Sequence, residues 1–502
     1  MRLLFLLAVI VFFLGRSSHA AESKPNIVYI LADDLGYGDV QCLNPLRGKI
    51  KTPHLDQLAA QSMVFTDAHG GSSVCSPTRY GVLTGRYAWR TSLQKGVLQN
   101  ESSPLIAPDR LTVPKLLKAH GYQTAGFGKW HLGGDLPLNG EEILIDQPIR
   151  NGPVTRGFDS YFCTDFRFFA PFMFIENDRF IGQPLFNRTK LGAKYGAGTS
   201  LKPDDFSHIL PTVCDRAVAK LSEYSKSTQP FFIYLAPCAP HDPYVPTAAW
   251  KGKSGLGTYA DYVMETDAEI GRVLEALEKS GKADDTLVFF TSDNGCAPYA
   301  GVKQMEAKGH FPSADKRGYK SDIWDGGHRI PFMVRWPGKV KAGTTNAQTI
   351  CLTDLLATCA EILGAKLPDN AAEDSISLLP LLKGQLHPTT HEAVVHHSFD
   401  GNFAIRHGKW KLALCPGSGG WSAPNEKAAI SQGLPGTQLY NLADDLVETN
   451  NLQATRPEIV AQLTKLMEKY VADGRSTPGK IQANDVAVQL IKSNANTEKD
   501  KE

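Results

Sequence analysis

Four short apolar runs, each breaking off at a charged or amide side chain, constrain this chain more than any other feature. "NIVYILADD" is apolar from Asn26 to Ala32 and stops at Asp33 and Asp34. "YQTAGFGKWH" leads into Lys129 and His131, "PFFIYLAPCAPH" into His241, and "TLVFFTSDN" into Asp293 and Asn294. Between them lie helical periodicities, for example over 52–60 and 260–279. Buried strands alternating with amphipathic helices predict an α/β fold with a largely parallel sheet. Ligands in such folds collect beyond the carboxyl ends of the strands. Asp and Asn also serve as turn and capping residues, so one polar strand end says little. Four together predict one polar site.

The pattern changes near residue 385. "EAVVHHSFDGNFAIRHGKWKLAL" alternates as strands do, with Asp-Gly and His-Gly breaks, and a helix is expected from about Pro457 to Ala472. The expected organisation is a signal peptide over 1–20, a large catalytic domain over 21–385, a smaller antiparallel-sheet subdomain over 386–475, and a polar, flexible tail over 476–502. The signal reading rests on Arg2, an apolar run from Leu3 to Leu14, and the small-x-small site Ser18-His19-Ala20. It predicts a secreted or periplasmic protein (lysosomal or extracellular in a eukaryote) with no membrane span after cleavage. The 53 basic and 52 acidic residues leave no net field for nucleic acid or a membrane surface.

Asp33, Asp34, Asp293 and Asn294 are hard oxygen donors offered from two strand ends. Three converging carboxylates repel unless a cation lies among them, and oxygen-only coordination favours Ca²⁺ or Mg²⁺ over zinc. Arg79, Lys129 and Lys320 are candidates to offset the acids and grip an anionic substrate group from the other side. His131 and His241 are candidates for proton transfer. Nine cysteines in a chain read as secreted is an odd number, so at least one is unpaired or altered; no pairing, including that of Cys351 with Cys359, follows from spacing. Cys75 is the candidate, because Pro77 places it at a helix N-terminus, where partial positive charge favours an anion.

"CSPTR" followed by "LTG", residues 75–79 and 83–85, resembles the signature of the type I sulfatases. "PNIVYILADDLGYGD", "GYQTAGFGKWHLG", "PHDPYVP", "TSDNG" and "KSDIWDGGHRIPFMVRWPG" resemble segments of that family in the same order, closest to its arylsulfatase A and N-acetylgalactosamine-6-sulfatase branch. The resemblance implies an alkaline-phosphatase-like fold and one Ca²⁺ on Asp33, Asp34, Asp293 and Asn294. It also implies that Cys75 is oxidised to Cα-formylglycine by a sulfatase-modifying enzyme and becomes a further metal ligand. Arg79, Lys129, His131, His241 and Lys320 match catalytic positions. The implied chemistry uses the two hydroxyls of the hydrated aldehyde. One attacks sulfur, while His241 protonates the departing alcohol; the second, deprotonated by His131, expels sulfate.

The substrate so implied is a sulfate ester, of a small molecule or a carbohydrate. Alternatives are a phosphodiester or phosphonate monoester hydrolase of the same superfamily, and a non-catalytic sulfated-glycan binding protein. Two departures stand out: Asp325 occupies a position where Glu is usual, and no active-site serine aligns near "GFDSYFCTDF". The aromatic run of Tyr161, Phe162, Phe166, Phe168, Phe169, Phe172 and Phe174 suits buried packing first and sugar stacking second. Asn100 and Asn187 begin N-x-S/T sequons.

Overall fold

The computed structural model describes residues 24–99, 102–164, 173–182, 206–385 and 390–492. The signal run, both sequons, four of the seven aromatics (Phe166, Phe168, Phe169 and Phe172) and residues 493–502 lie outside the described residues.

A ten-stranded mixed sheet forms the centre. Its middle is parallel: Thr286–Ser292, Asn26–Ala32, Phe231–Ala236, Gln123–Gly128 and Ser160–Thr164 lie side by side in that order. Antiparallel strands extend both flanks, Phe332–Arg335 on one side and Phe174–Glu176 with Arg179–Ile181 on the other. Asn26–Ala32 is buried along its whole length, as expected of a parallel strand covered on both faces. Ile27, Ile30 and Leu31 are fully buried, and each contributes about 1.5–3 kcal/mol of hydrophobic stabilisation. That apolar floor supports the charged cluster above it.

Helices pack against the sheet. Thr258–Lys279 buries Ile270, Val273 and Leu277, and Ile209–Tyr224 buries Val213, Ala217 and Leu221 in the same core. A separate four-stranded antiparallel sheet comprises Val394–His397, Phe403–His407, Trp410–Ala413 and Gln438–Asn441. The helix Pro457–Ala472 packs on it through Leu463, Met467 and Tyr470.

One expectation differs from what is observed. The tail from 476 is held as far as residue 492. Ser476 N donates to Asp374 Oδ1 (3.0 Å), the Arg86 guanidinium pairs with Asp485 (3.0 Å), and Gln94 Nε2 donates to the Ala487 carbonyl (3.2 Å). All nine cysteines are free thiols, so oddness of count singles out none of them. No helix among the described residues is long and apolar enough to cross a membrane.

Candidate active site

Strand register assembles the site. Ala32 pairs with Ser292 and Ala236 with Gly128, so the next residues leave the sheet at one level. Asp33 N donates to the Ala239 carbonyl (3.0 Å), Asp293 N to that of Ala32 (3.1 Å), and Lys129 N to that of Ala236 (2.6 Å). Gly128, at φ +93°, is required for that closeness: a Cβ there would lie 2.0 Å from the Ala236 oxygen.

Eight of the predicted side chains form one buried network. Lys129 Nζ lies 2.7 Å from Asp33 Oδ2, and Lys320 Nζ lies 2.6 Å from Asp34 Oδ1. Arg79 Nη2 is 2.7 Å from Asp293 Oδ2 and 3.5 Å from Asp33 Oδ1, while Nη1 donates to the Lys129 carbonyl (3.1 Å). Asn294 Nδ2 donates to Asp34 Oδ1 (2.8 Å), and His241 Nε2 lies 3.8 Å from Asp34 Oδ2. The three cations thus sit directly on the three carboxylates and offset them.

Burial would raise Asp33, yet Lys129, His241, Arg79 and Lys320 hold it well below the usual carboxylate range. Burial and the Asp33 charge push Asp293 up to about 7 against the pull of Arg79. Burial, with Lys320 and Lys129 nearby, pushes His241 down to about 4. Its Nδ1 contacts the Asp242 carbonyl, which only accepts, so Nδ1 carries the proton and Nε2 presents a lone pair.

The oxygen donors fit a hard cation. Asp33 Oδ1 and Asn294 Oδ1 are buried and receive no hydrogen bond, a costly state unless something else neutralises them. One carboxylate oxygen and one amide oxygen left open, with the Asp34 and Asp293 carboxylates beside them, suit Ca²⁺.

Cys75 is the first residue of the helix Cys75–Thr84 and is 2% exposed. The approach to it is pinned: Ser73 N donates to the His397 carbonyl (3.0 Å) and Ser321 N to that of Ser73 (2.8 Å). Its thiol lies within electrostatic reach of Arg79 and Lys320. His131 joins this corner through Leu98. Its Nε2 donates to the Leu98 carbonyl (3.0 Å), and Leu98 N donates to Ser76 Oγ (3.1 Å). Asp34, His131 and Ser321 all adopt left-handed φ values of 65°, 53° and 83°, backbone strain of the kind that concentrates at functional sites.

Residues 25–365 match the Sulfatase family model. The N-acetylgalactosamine-6-O-sulfatase of Bacteroides thetaiotaomicron is 33% identical over 89% of this chain and 93% of its own length. This chain belongs to the sulfatase family. Human arylsulfatase A is 31% identical over 94% of the chain and 93% of its own length. A solved Bacteroides thetaiotaomicron structure, from work on glycosaminoglycan metabolism, superposes with TM-score 0.77 at 31% identity, covering 89% of this chain and 99% of that one. By family, this sulfatase is a sulfuric ester hydrolase.

Some positions were not legible beforehand. Of the hydroxyls in "GFDSYFCTDF", that of Ser160 lies where its strand pairs with Ala125, towards the far end from the site. Thr164 stands at the carboxyl end instead, 3.6 Å from the Cys238 sulfur. Asp325 belongs to a different buried cluster, 2.8 Å from Lys411. Tyr161 and Phe162 are buried; the Tyr161 hydroxyl donates to the Lys129 carbonyl (3.3 Å) and so steadies the turn that carries Lys129. Ser321 carries no sequence signal, because nothing in "YKSD" announces its positive φ.

Proposed function

We propose that this sulfatase cleaves sulfate esters of carbohydrates, using a formylglycine derived from Cys75 and one Ca²⁺ held by Asp33, Asp34, Asp293 and Asn294. The observation that carries the reading is the pair of donorless buried oxygens, on Asp33 and Asn294, beside three carboxylate–cation pairs. When bound, Ca²⁺ supplies Lewis acidity towards the sulfuryl oxygens, and the aldehyde hydrate supplies an oxygen nucleophile that a thiol does not.

The remaining roles fall to side chains of the chain itself. Lys129 and Lys320 donate to the sulfuryl oxygens while remaining against Asp33 and Asp34. Arg79 fixes Asp293 and the Lys129 backbone. His241 rests neutral; an anionic ester beside its Nε2 adds negative charge, raises its pKa, and equips it to protonate the leaving alcohol. His131, with its Nε2–H committed to Leu98, offers Nδ1 to take a proton from residue 75. The names of the relatives make 6-sulfated N-acetylgalactosamine the first substrate to try. The N-terminal apolar run supports export to the periplasm or beyond.

The test is to produce the chain with a sulfatase-modifying enzyme, confirm by mass that residue 75 has exchanged sulfur for oxygen with loss of two hydrogens, and measure sulfate release. Activity on N-acetylgalactosamine 6-sulfate or an aryl sulfate, lost on chelation and in Asp293→Ala, is expected. Full activity with an unmodified thiol or after exhaustive chelation would refute the mechanism.

A further inference from the structure

Among the described residues, the large apolar side chains left exposed include two aromatics, Tyr299 at 53% and Trp421 at 42%. They touch each other, with ring centroids 5.8 Å apart at 42°. Phe399, half-buried, backs the indole at 5.1 Å. Three separate parts of the chain converge here. Tyr299 lies five residues beyond Asn294, on the segment leaving the catalytic strand Thr286–Ser292. Phe399 follows the strand Val394–His397, and Trp421 lies in the loop after Trp410–Ala413, both in the C-terminal subdomain.

The pair sits at the site rather than elsewhere on the surface. Trp421 N donates to Ser321 Oγ (2.9 Å) and Asp322 Oδ1 (3.2 Å), and Phe399 N donates to the Ser321 carbonyl (3.0 Å). Ser321 is the residue after Lys320, which grips Asp34. The Tyr299 hydroxyl lies within electrostatic reach of Lys320, Asp34, Asp242 and Cys75, and the residue is half exposed. Gly420 permits the loop's approach: a Cβ there would meet the Ser321 oxygen at 2.4 Å.

We infer that Tyr299 and Trp421 form a stacking platform for the pyranose rings of the leaving alcohol, making the preferred substrate a sulfated oligosaccharide of at least two sugars. This rests on the sulfatase reading above and adds to it the alcohol side of the bond. The charged network explains how sulfate is held, and no member of it presents an apolar face to a sugar. Two solvent-facing rings beside that network do. Pyranose C–H faces are apolar and cover aromatic rings, while the ring hydroxyls stay solvated or hydrogen-bond at the rim. The indole Nε1–H makes no hydrogen bond to a described residue and is available to a sugar hydroxyl.

The experiment compares kcat/KM for 4-nitrophenyl sulfate, N-acetylgalactosamine 6-sulfate, and monosulfated disaccharides prepared from chondroitin, heparin and carrageenan. The variants are Trp421→Ala, Trp421→Phe, Tyr299→Ala and Tyr299→Phe. On the best disaccharide, Trp421→Ala should lose about tenfold or more relative to the aryl sulfate, mostly through KM, with partial recovery in Trp421→Phe. Tyr299→Ala should shift the same ratio and Tyr299→Phe restore it. Equal losses on aryl and disaccharide substrates, or no loss on either, would overturn the platform.

A second measurement needs no turnover. In a Cys75→Ser chain, titration with the same disaccharides should change tryptophan fluorescence, and the change should shrink in Cys75→Ser/Trp421→Phe. Identical curves in the two chains, or no change with any disaccharide, would overturn the inference. Wild-type protein that hydrolysed no sulfate ester would sink the sulfatase reading instead, and the titration would still decide the platform.

Discussion

Two of the buried ionic clusters among the described residues differ in how they meet solvent. The first lies at the carboxyl ends of the parallel strands, where Asp33, Asp34 and Asp293 meet Lys129, Lys320 and Arg79. The second lies where the large sheet meets the C-terminal sheet. There Lys411 reaches both Asp325 (2.8 Å) and Glu448 (2.7 Å), and His69, His328 and His396 pack together, the last two stacked at 3.8 Å. Burial keeps His328 and His396 well below the usual imidazole range, so they pack as neutral rings. In the first cluster Asp33 Oδ1 and Asn294 Oδ1 receive no hydrogen bond, and an exposed aromatic edge adjoins it. In the second, the lysine is shared by carboxylates contributed from both sheets' surroundings, which fastens one part to the other. Buried charge alone therefore does not mark a site. An approach from solvent does.

The sharpest separation should come from Cys75→Ala, which is expected to reduce sulfate release by about 10⁴-fold or more while leaving the melting transition close to that of the parent, as initial rates and calorimetry would show. An active Cys75→Ala chain would remove the nucleophile from the first cluster. Next in size is His241→Ala. A general acid contributes ~10²–10⁴-fold where the leaving group is poor, so an alkyl sulfate should suffer far more than an activated aryl sulfate. Equal losses on the two would deny His241 that role.

For the second cluster the readout reverses. Lys411→Met strands Glu448 and leaves Asp325 to Arg329 (3.2 Å) alone at close range, and should cost roughly 3–5 kcal/mol of stability, measured by denaturant unfolding, with activity per folded molecule retained. Loss of activity in fully folded Lys411→Met would join the two clusters into one functional unit.

The smallest effect concerns His391, whose Nε2 lies 2.7 Å from Asp354 Oδ1. Burial acts to lower its pKa, but the Asp354 carboxylate outweighs burial and the net shift is upward. A raised histidine stabilises the fold fully below its unfolded pKa, about 6.5, and the contribution fades as pH rises through the folded value. The melting temperature should therefore fall from near neutrality upward through this group, and His391→Asn should flatten that part of the profile. An unchanged slope would show that the pair does not titrate with folding.

Much of the first cluster was legible because its chemistry is local: each strand announces itself by an apolar run and ends on the side chain it delivers. Asp33, Lys129, His241 and Asp293 could be read one at a time, and parallel register then brought them level. The second cluster was not legible. His69, His328, His396 and Lys411 come from four separate stretches, each unremarkable beside its neighbours, and only tertiary packing unites them. The aromatic platform was hidden for the same reason. Tyr299 and Trp421 are 122 positions apart in sequence, whereas the conspicuous aromatic run begins with Tyr161 and Phe162, which are buried. Local density of rings reports packing more readily than binding.

The pinned approach to Cys75 also sets a clock. The residue is 2% exposed, and the groups that close over its entry strand, Ser321 and His397, lie hundreds of residues further along the chain. At roughly 5–20 residues per second of synthesis, the cysteine exists for on the order of half a minute before the last of those groups has been made. Any enzyme that alters Cys75 must reach it within that interval or during later unfolding, so the yield of altered protein is governed by a race between folding and modification. Slower translation or delayed folding should raise that yield without any change in the sequence around the cysteine.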